Sequence, residues 1–192
     1  MTDKATLRKF AHQRRAAAHG VVDPAPALQV LRELLGDTRG PVSFYWPIRS
    51  EIDPRPLMTE MARTRDLCLP VTHGRDAGLT FRRWTEGVAM ETDGFGVSVP
   101  VKDDRITPLV LVVPLLAFDD RCHRLGYGAG HSDRTLAGLR SEGSVTAIGL
   151  AYAAQRANAP LPTDPPDQPL DSIRPEAGVP RPPCAGRPAP AA

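Results

Sequence analysis

The sequence predicts an α/β domain of three layers, α/β/α, around a largely parallel central sheet. Three observations predict it. Leu109 to Phe118 (LVLVVPLLAF) is the most apolar run in the chain, and its length and valine content suit a central parallel strand covered on both faces. Further buried-strand patterns stand at Leu67–Val71 and Thr146–Tyr152. Helical patterns fall between these runs, and strands alternating with helices are the mark of a parallel sheet.

In chain order, the first twenty residues read as a helix, with Thr2 as cap and Asp3 in the first turn. Leu7, Phe10, Ala11, Ala17 and Ala18 form its apolar stripe, and Gly20 stops it. Lys4 and Arg8 are four apart and project from one face. A short helix is expected from Ala25 to Leu35. PVSFYWPI, from Pro41, reads as a strand that Pro47 closes. Glu51 to Arg65 reads as helical, and Gly78 to Trp84 alternates like a half-buried strand. Gly87 to Pro100 carries three glycines and is expected to be mostly loop. Asp133 to Arg140 is expected to be helical. The order of elements is Rossmann-like.

Composition excludes several classes of function. The 192 residues suit one medium domain. A net charge of +2, with no basic stripe interleaved with aromatics, argues against nucleic-acid binding. Three widely spaced cysteines make neither a disulfide framework nor a zinc site, and fit a reducing compartment in which thiols stay unpaired. No apolar run reaches the roughly 18 residues of a membrane span, and the charged start is unlike a signal peptide. A cytoplasmic domain is therefore expected; a monomer is expected too, although nothing in the sequence reveals the oligomeric state. Proline is in excess: 21 in all, with eleven from Pro160 to Pro190.

The densest cluster of chemistry is Arg124-Leu-Gly-Tyr-Gly-Ala-Gly-His-Ser-Asp-Arg134. It lies beyond the carboxyl end of the strongest strand and leads into a helix, where ligands bind in open α/β sheets. Glycines at 126, 128 and 130 let backbone amides approach an anion, and the helix N-terminus adds its dipole. Arg124 and Arg134 suit phosphate oxygens, and Asp133 suits a magnesium ion. The loop lacks Gly-Lys-Ser/Thr, so it is not a Walker A loop, and His131 stands where a dinucleotide fingerprint needs its third glycine.

Leu111-Val-Val-Pro-Leu-Leu-Ala-Phe-Asp119, then Arg124-Leu-Gly-Tyr-Gly-Ala-Gly130, then Asp133-Arg134, resembles the signature of the 5-formyltetrahydrofolate cyclo-ligase (methenyltetrahydrofolate synthetase) family. Lys4 with Leu7-Arg8, Tyr45-Trp-Pro47 with Glu51, and Phe81 with Trp84 are similar to its other motifs. So are Gln155, Pro162, Asp167 and Leu170-Asp171, in the same order along residues 4–171. The resemblance implies a domain over 1–173, a proline-rich tail over 174–192, and an extended segment over 160–173 that delivers Asp167 towards a metal. It implies ATP-dependent closure of 5-formyltetrahydrofolate: phosphorylation of the formyl oxygen, attack by N10, and loss of phosphate. That chemistry asks for positioning and charge neutralisation more than for a protein nucleophile.

By the same resemblance, ATP would be held by Lys4, Arg8, the residues Arg124, Leu125, Gly126, Tyr127, Gly128, Ala129, Gly130, His131 and Ser132, and Arg134. Mg2+ would be held by Asp133 and Asp167, and the folate by Trp46 and Glu51. Each residue has a plainer reading. Lys4 and Arg8 suit a solvated helix face, Trp46 and Trp84 a core, Glu51 a helix start and Asp167 a turn.

The chain also departs from the family pattern Gly-Gly-Gly-Tyr-Tyr-Asp, with Gly128-Ala-Gly-His-Ser-Asp133 in its place. Ala129 is a small change at negative φ and a costly one at positive φ. Ser132 lacks a ring, with a hydroxyl able to cap the helix. A folate- or nucleotide-binding paralogue without turnover is the alternative, and a kinase or phosphatase sharing the loop alone is a third class.

Overall fold

Asp3 opens the first helix of the computed structural model, which describes residues 3–176. Its carboxylate accepts from the amides of Ala5 and Thr6 and caps α1 (Lys4–Ala18). The cap is thus Asp3, one residue later than expected. Helices α2 (Ala25–Gly36) and α3 (Arg55–Met61) follow, each with proline in its first turn, where a missing N–H costs nothing. The helix expected from Glu51 to Arg65 is therefore shorter at both ends.

Six strands form the main sheet. They are β1 (Val42–Ser43), β2 (Leu67–Val71), β3 (Thr80–Trp84), β6 (Val110–Pro114), β9 (Thr146–Ala151) and β10 (Ser172–Pro175). The spatial order is β10-β9-β6-β1-β2-β3, and every pairing is parallel except β2–β3 at the edge. Register is set by Val42 opposite Leu67 on one side and Val110 on the other. Side chains alternate between two apolar clusters. Val42, Leu67, Leu69, Val110 and Val112 pack under α2 and α3 with Leu31, Leu35, Leu57 and Met58. Leu111, Val113 and Ala147 pack on the other face with Leu136 of α4 (His131–Glu142) and with Leu170. Both faces are covered, so three layers around a largely parallel sheet is the architecture found.

Residues 87–100 hold a two-stranded hairpin, β4 (Met90–Thr92) with β5 (Ser98–Pro100), where a loop was expected. Asp93 builds its turn by accepting from the amides of Phe95 and Val97. A second small ribbon pairs β7 (Ala117–Phe118) with β8 (Arg124–Leu125). It splits the long apolar run after Pro114, with Phe118 opposite Arg124.

The C-terminal segment is extended, as the proline content suggests, but it also ends in a strand. β10 pairs with β9, Ser172 opposite Ile148, so the domain boundary expected after 173 falls inside a strand. The tail expected over 174–192 lies, from 177 onward, outside the described residues. Buried Asp119 ties this segment down, accepting from the amides of Arg121, His123 and Leu161. Cys68 is a free buried thiol, whereas Cys122 is disulfide-bonded, so unpaired thiols are found at the first of these alone. Among the described residues no helix is long and apolar enough to cross a membrane.

Candidate active site

Strand order reverses at β1: the chain runs from β1 to β2 on one side and later returns to β6 on the other. A crevice opens beyond the carboxyl ends of strands at such a point. Here it is divided into two adjoining cavities that share Pro114, Tyr127, His131 and Ser132 as a common wall.

The first cavity, about 230 Å3, is charged. It is lined by Lys4 and Arg8 of α1, by the whole run Arg124, Leu125, Gly126, Tyr127, Gly128, Ala129, Gly130, His131, Ser132 and Asp133, and by Asp164 and Asp167. Gly128 (φ 104°) and Gly130 (φ 69°) occupy the left-handed region, whereas Ala129 does not. Alanine at 129 is therefore the inexpensive case. Glycine at 128 has a second reason: a Cβ there would stand 3.0 Å from Arg8 Cζ. Arg8 Nε donates to the Gly126 carbonyl at 3.0 Å, so helix α1 holds the loop. Gly130 caps α4 without a side chain, which leaves first-turn amides available to an anion. Ser132 sits inside that first turn and does not cap it.

Two of the carboxylates are half committed. Asp133 Oδ1 accepts from Arg124 Nη2 at 2.8 Å and from the Gln168 amide at 2.9 Å. Asp167 Oδ2 accepts from Lys4 Nζ at 2.7 Å and from the Asp164 amide at 2.9 Å. Burial works to raise the pKa of Asp167, but the Lys4 bond and the Asp164 amide outweigh it and the net shift is downward. Burial depresses Arg124, and Asp133 opposes that loss. Each aspartate keeps its second oxygen out of these bonds. Among the described residues no three His, Cys, Asp or Glu side chains form a metal cage. A donor set of one or two carboxylates still fits magnesium, which takes its other ligands from phosphates and water.

Arg134 is the exception among the expected nucleotide ligands. Its guanidinium donates to the carbonyls of Arg75, Ala77 and Ala129, and it does not line the charged cavity. From the first turn of α4 it reaches across to fasten the segment after β2 instead.

The second cavity, about 180 Å3, is apolar and aromatic. Ser43 enters it from β1 and Phe44 to Trp46 from the segment that follows, Leu111 to Val113 from β6, and Val97 from the hairpin. Trp46 lies on its rim, with Arg55 stacked 5.1 Å from its ring centroid. Trp84 is buried in the core and lines neither cavity. Glu51 sits at the floor, 4 % exposed. Burial pushes its pKa up, against the Ile48 amide and the Tyr127 hydroxyl that both donate to it. His131 donates from Nδ1 to the Ala77 carbonyl at 3.0 Å and meets the Phe95 ring edge-on at 5.7 Å. The hairpin tip thus reaches the mouth that both cavities share.

Sequence reasoning missed three participants. Arg15 lies two helical turns beyond Arg8 on the same face of α1, where it reads as one more solvated arginine. Asp164 shares Lys4 with Asp167, 2.7 Å from its nitrogen. Phe95 carried no signal, because the hairpin that places it was itself unread.

The same fold occurs in proteins of known structure and name. The chain superposes on the 5,10-methenyltetrahydrofolate synthetase of Aquifex aeolicus with a TM-score of 0.75 and 27% identity, over 90% of this chain and 89% of that one. The synthetase of Mycoplasma pneumoniae shares the fold at a TM-score of 0.72 and 22% identity, over 90% of this chain and 98% of that one. The 5-formyltetrahydrofolate cyclo-ligase of Haemophilus influenzae is 32% identical over 139 residues, 69% of this chain and 73% of that protein. That of Escherichia coli K12 is 31% identical over 139 residues, 69% and 75% respectively. The family model for 5-formyltetrahydrofolate cyclo-ligases matches residues 1–176. With every described residue inside that match, the chain belongs to the 5-formyltetrahydrofolate cyclo-ligase family.

Proposed function

We propose that this chain converts 5-formyltetrahydrofolate to 5,10-methenyltetrahydrofolate in an ATP- and magnesium-dependent reaction that releases ADP and phosphate. The observation that carries the reading is the shared wall. A charged cavity with a glycine loop meets an apolar, aromatic one at Tyr127, His131 and Ser132. Phosphates suit the first and a pterin ring the second, so the phosphoryl donor and the formyl oxygen meet across that wall.

In this reading the formyl oxygen attacks the γ-phosphorus and ADP departs. N10 then attacks the formyl carbon, its proton is released, and phosphate leaves with the former formyl oxygen. Lys4 and Arg8 draw the phosphates in, and the amides of Gly128 to Ser132 cradle them. Arg124 and Lys4 hold Asp133 and Asp167 in fixed orientation. A magnesium ion on those two aspartates would supply further neutralisation of phosphate charge. Glu51 and Trp46 bind and orient the folate. Arg134 stabilises the loop rather than the nucleotide. The enzyme acts as a cytoplasmic monomer.

Protein incubated with 5-formyltetrahydrofolate, ATP and magnesium should build up methenyltetrahydrofolate absorbance and ADP in equal amounts, and chelation of the metal should stop both. Absence of both at high enzyme concentration refutes catalysis. Ser132, where the family pattern carries a ring, motivates a second reading of binding without turnover. Calorimetric binding of both ligands with no ADP formed would select it.

A further inference from the structure

Arg15 is a charged side chain that neither the nucleotide nor the folate reading uses, yet it is 1 % exposed. It lies on the inner face of α1, one helical turn before the helix ends. Its guanidinium is spread over four partners. Nε donates to Ser50 Oγ at 3.1 Å, Nη1 to the Leu115 carbonyl at 3.3 Å, and Nη2 to Tyr127 Oη at 2.7 Å. Nη1 also stands 3.6 Å from Glu51 Oε1. The Tyr127 hydroxyl in turn donates its one proton to that same Glu51 oxygen at 2.7 Å.

The Tyr127 hydroxyl is therefore engaged on both sides, accepting from Arg15 and donating to Glu51. Yet Tyr127 belongs to the nucleotide loop, between Gly126 and Gly128, and it lines both cavities. Glu51 belongs to the apolar cavity alone. Movement of the glycine loop must carry Tyr127, and it then breaks a bond to a buried charge at one end or the other. Loss of a partner to a buried charge is costly, so the loop and the folate cavity cannot rearrange independently. Arg8 adds to this, since it grips the Gly126 carbonyl from the same helix.

We propose that Arg15 is a positioning residue that joins the two substrate sites through Tyr127 and Glu51, so that a nucleotide in the glycine loop tightens folate binding and folate tightens nucleotide binding to the same degree. The nucleotide orders residues 126–130 and with them Tyr127. Folate then finds Glu51 already oriented, and the ordering cost falls once instead of twice. Reciprocity follows from linkage. The inference rests on the proposed function, in that it requires both ligands to bind.

Mg-ADP is the probe, because it lacks the γ-phosphoryl group and allows neither turnover nor direct contact at the reacting phosphate. The dissociation constant of 5-formyltetrahydrofolate is measured by calorimetry on the full chain, with and without saturating Mg-ADP, and the reverse titration is made. The ratio should be about fivefold or more in the parent protein, equal in both directions. In Tyr127→Phe, which keeps the ring and removes the hydroxyl, it should fall to within about twofold of unity. Arg15→Lys keeps the charge without the fork and should lose the ratio as well. Should the lysine variant fail to fold by circular dichroism, the phenylalanine variant decides alone. A parent ratio of one, or an unchanged ratio in Tyr127→Phe, overturns the proposal. Failure of either ligand to bind the parent overturns the functional reading along with it, whereas binding of both with an unchanged ratio removes this inference alone.

Discussion

Leu170 Cδ1 lies where a side chain at Gly149 would need to be: a Cβ there would come within 2.8 Å of it, and equally within 2.8 Å of Leu115 Cδ2. The C-terminal segment is thus laid directly on the backbone of β9. Leu170 is 1 % exposed and belongs to the apolar cluster beneath α4. Gly149→Val should destabilise the fold by about 1–3 kcal/mol through overpacking. It should also open the segment 160–171 to limited proteolysis before the sheet itself unfolds. Denaturant titration and a timed digest check the two effects; a digest identical to the parent's would show that Leu170 and Leu115 make room without undocking the segment.

Ala129 and Gly128 make opposite demands on the backbone, although they are neighbours. Ala129→Gly should leave ATP use unchanged, because position 129 does not adopt positive φ. Gly128→Ala must place a Cβ at φ 104° against Arg8. The strain is of order 1–2 kcal/mol, so KM for ATP should rise about tenfold with the folate KM less affected. Steady-state kinetics on the two variants tests the contrast.

Lys4 and Asp167 stabilise the docked C-terminal segment over a defined pH window. The net shift of Asp167 is downward, so its contribution is present above the ordinary aspartate value of 3.8 and is lost as pH falls through its lowered folded value. Lys4 shifts the other way: burial lowers it, but its bonds to Asp164 and Asp167 prevail and raise it. Its contribution is therefore present below 10.5 and lost as pH rises beyond that. The Tm difference between parent and Lys4→Met should be largest near neutrality and close at both extremes. A difference independent of pH would assign the effect to packing of the lysine stem.

Cys68 sits on β2, wholly buried, and burial pushes its thiol up to about 12. The reactive thiolate is then scarce at neutral pH. A maleimide reagent should label it in denaturant and not in the native protein. Labelling of Cys68 at comparable rates in both states would mean that β2 opens far more readily than its place in the sheet implies.

The strands that were legible in the sequence are those buried on both faces. Leu67–Val71, Val110–Pro114 and Thr146–Ala151 announce themselves by apolar length. The hairpin at Met90–Pro100 did not, because Glu91 and Thr92 are exposed and leave no alternation to read. Ser172–Pro175 was hidden by its own proline, which lowers the strand signal and which an edge strand tolerates. In the site, the run Arg124–Asp133 was legible because glycine spacing and charge survive in sequence form. Arg134, expected beside the nucleotide, does not line the charged cavity, since the direction of a side chain in the first turn of a helix is not written in the spacing of the loop before it. Arg15 was invisible for a different reason: one more arginine on a basic helix face looks solvated until the sheet is known to cover it.

Lys4 grips Asp164 and Asp167, partners 160 and 163 residues away along the chain. The wall of the charged cavity is therefore made from the first and the last parts of the described polypeptide to leave a ribosome. During synthesis the sheet can assemble from β1 to β9 while that cavity still lacks a side. A prematurely terminated product, even one long enough to bury most of the core, would lack the segment that holds Lys4. That wall closes only once Asp164 and Asp167 have been made, however much of the sheet has already formed.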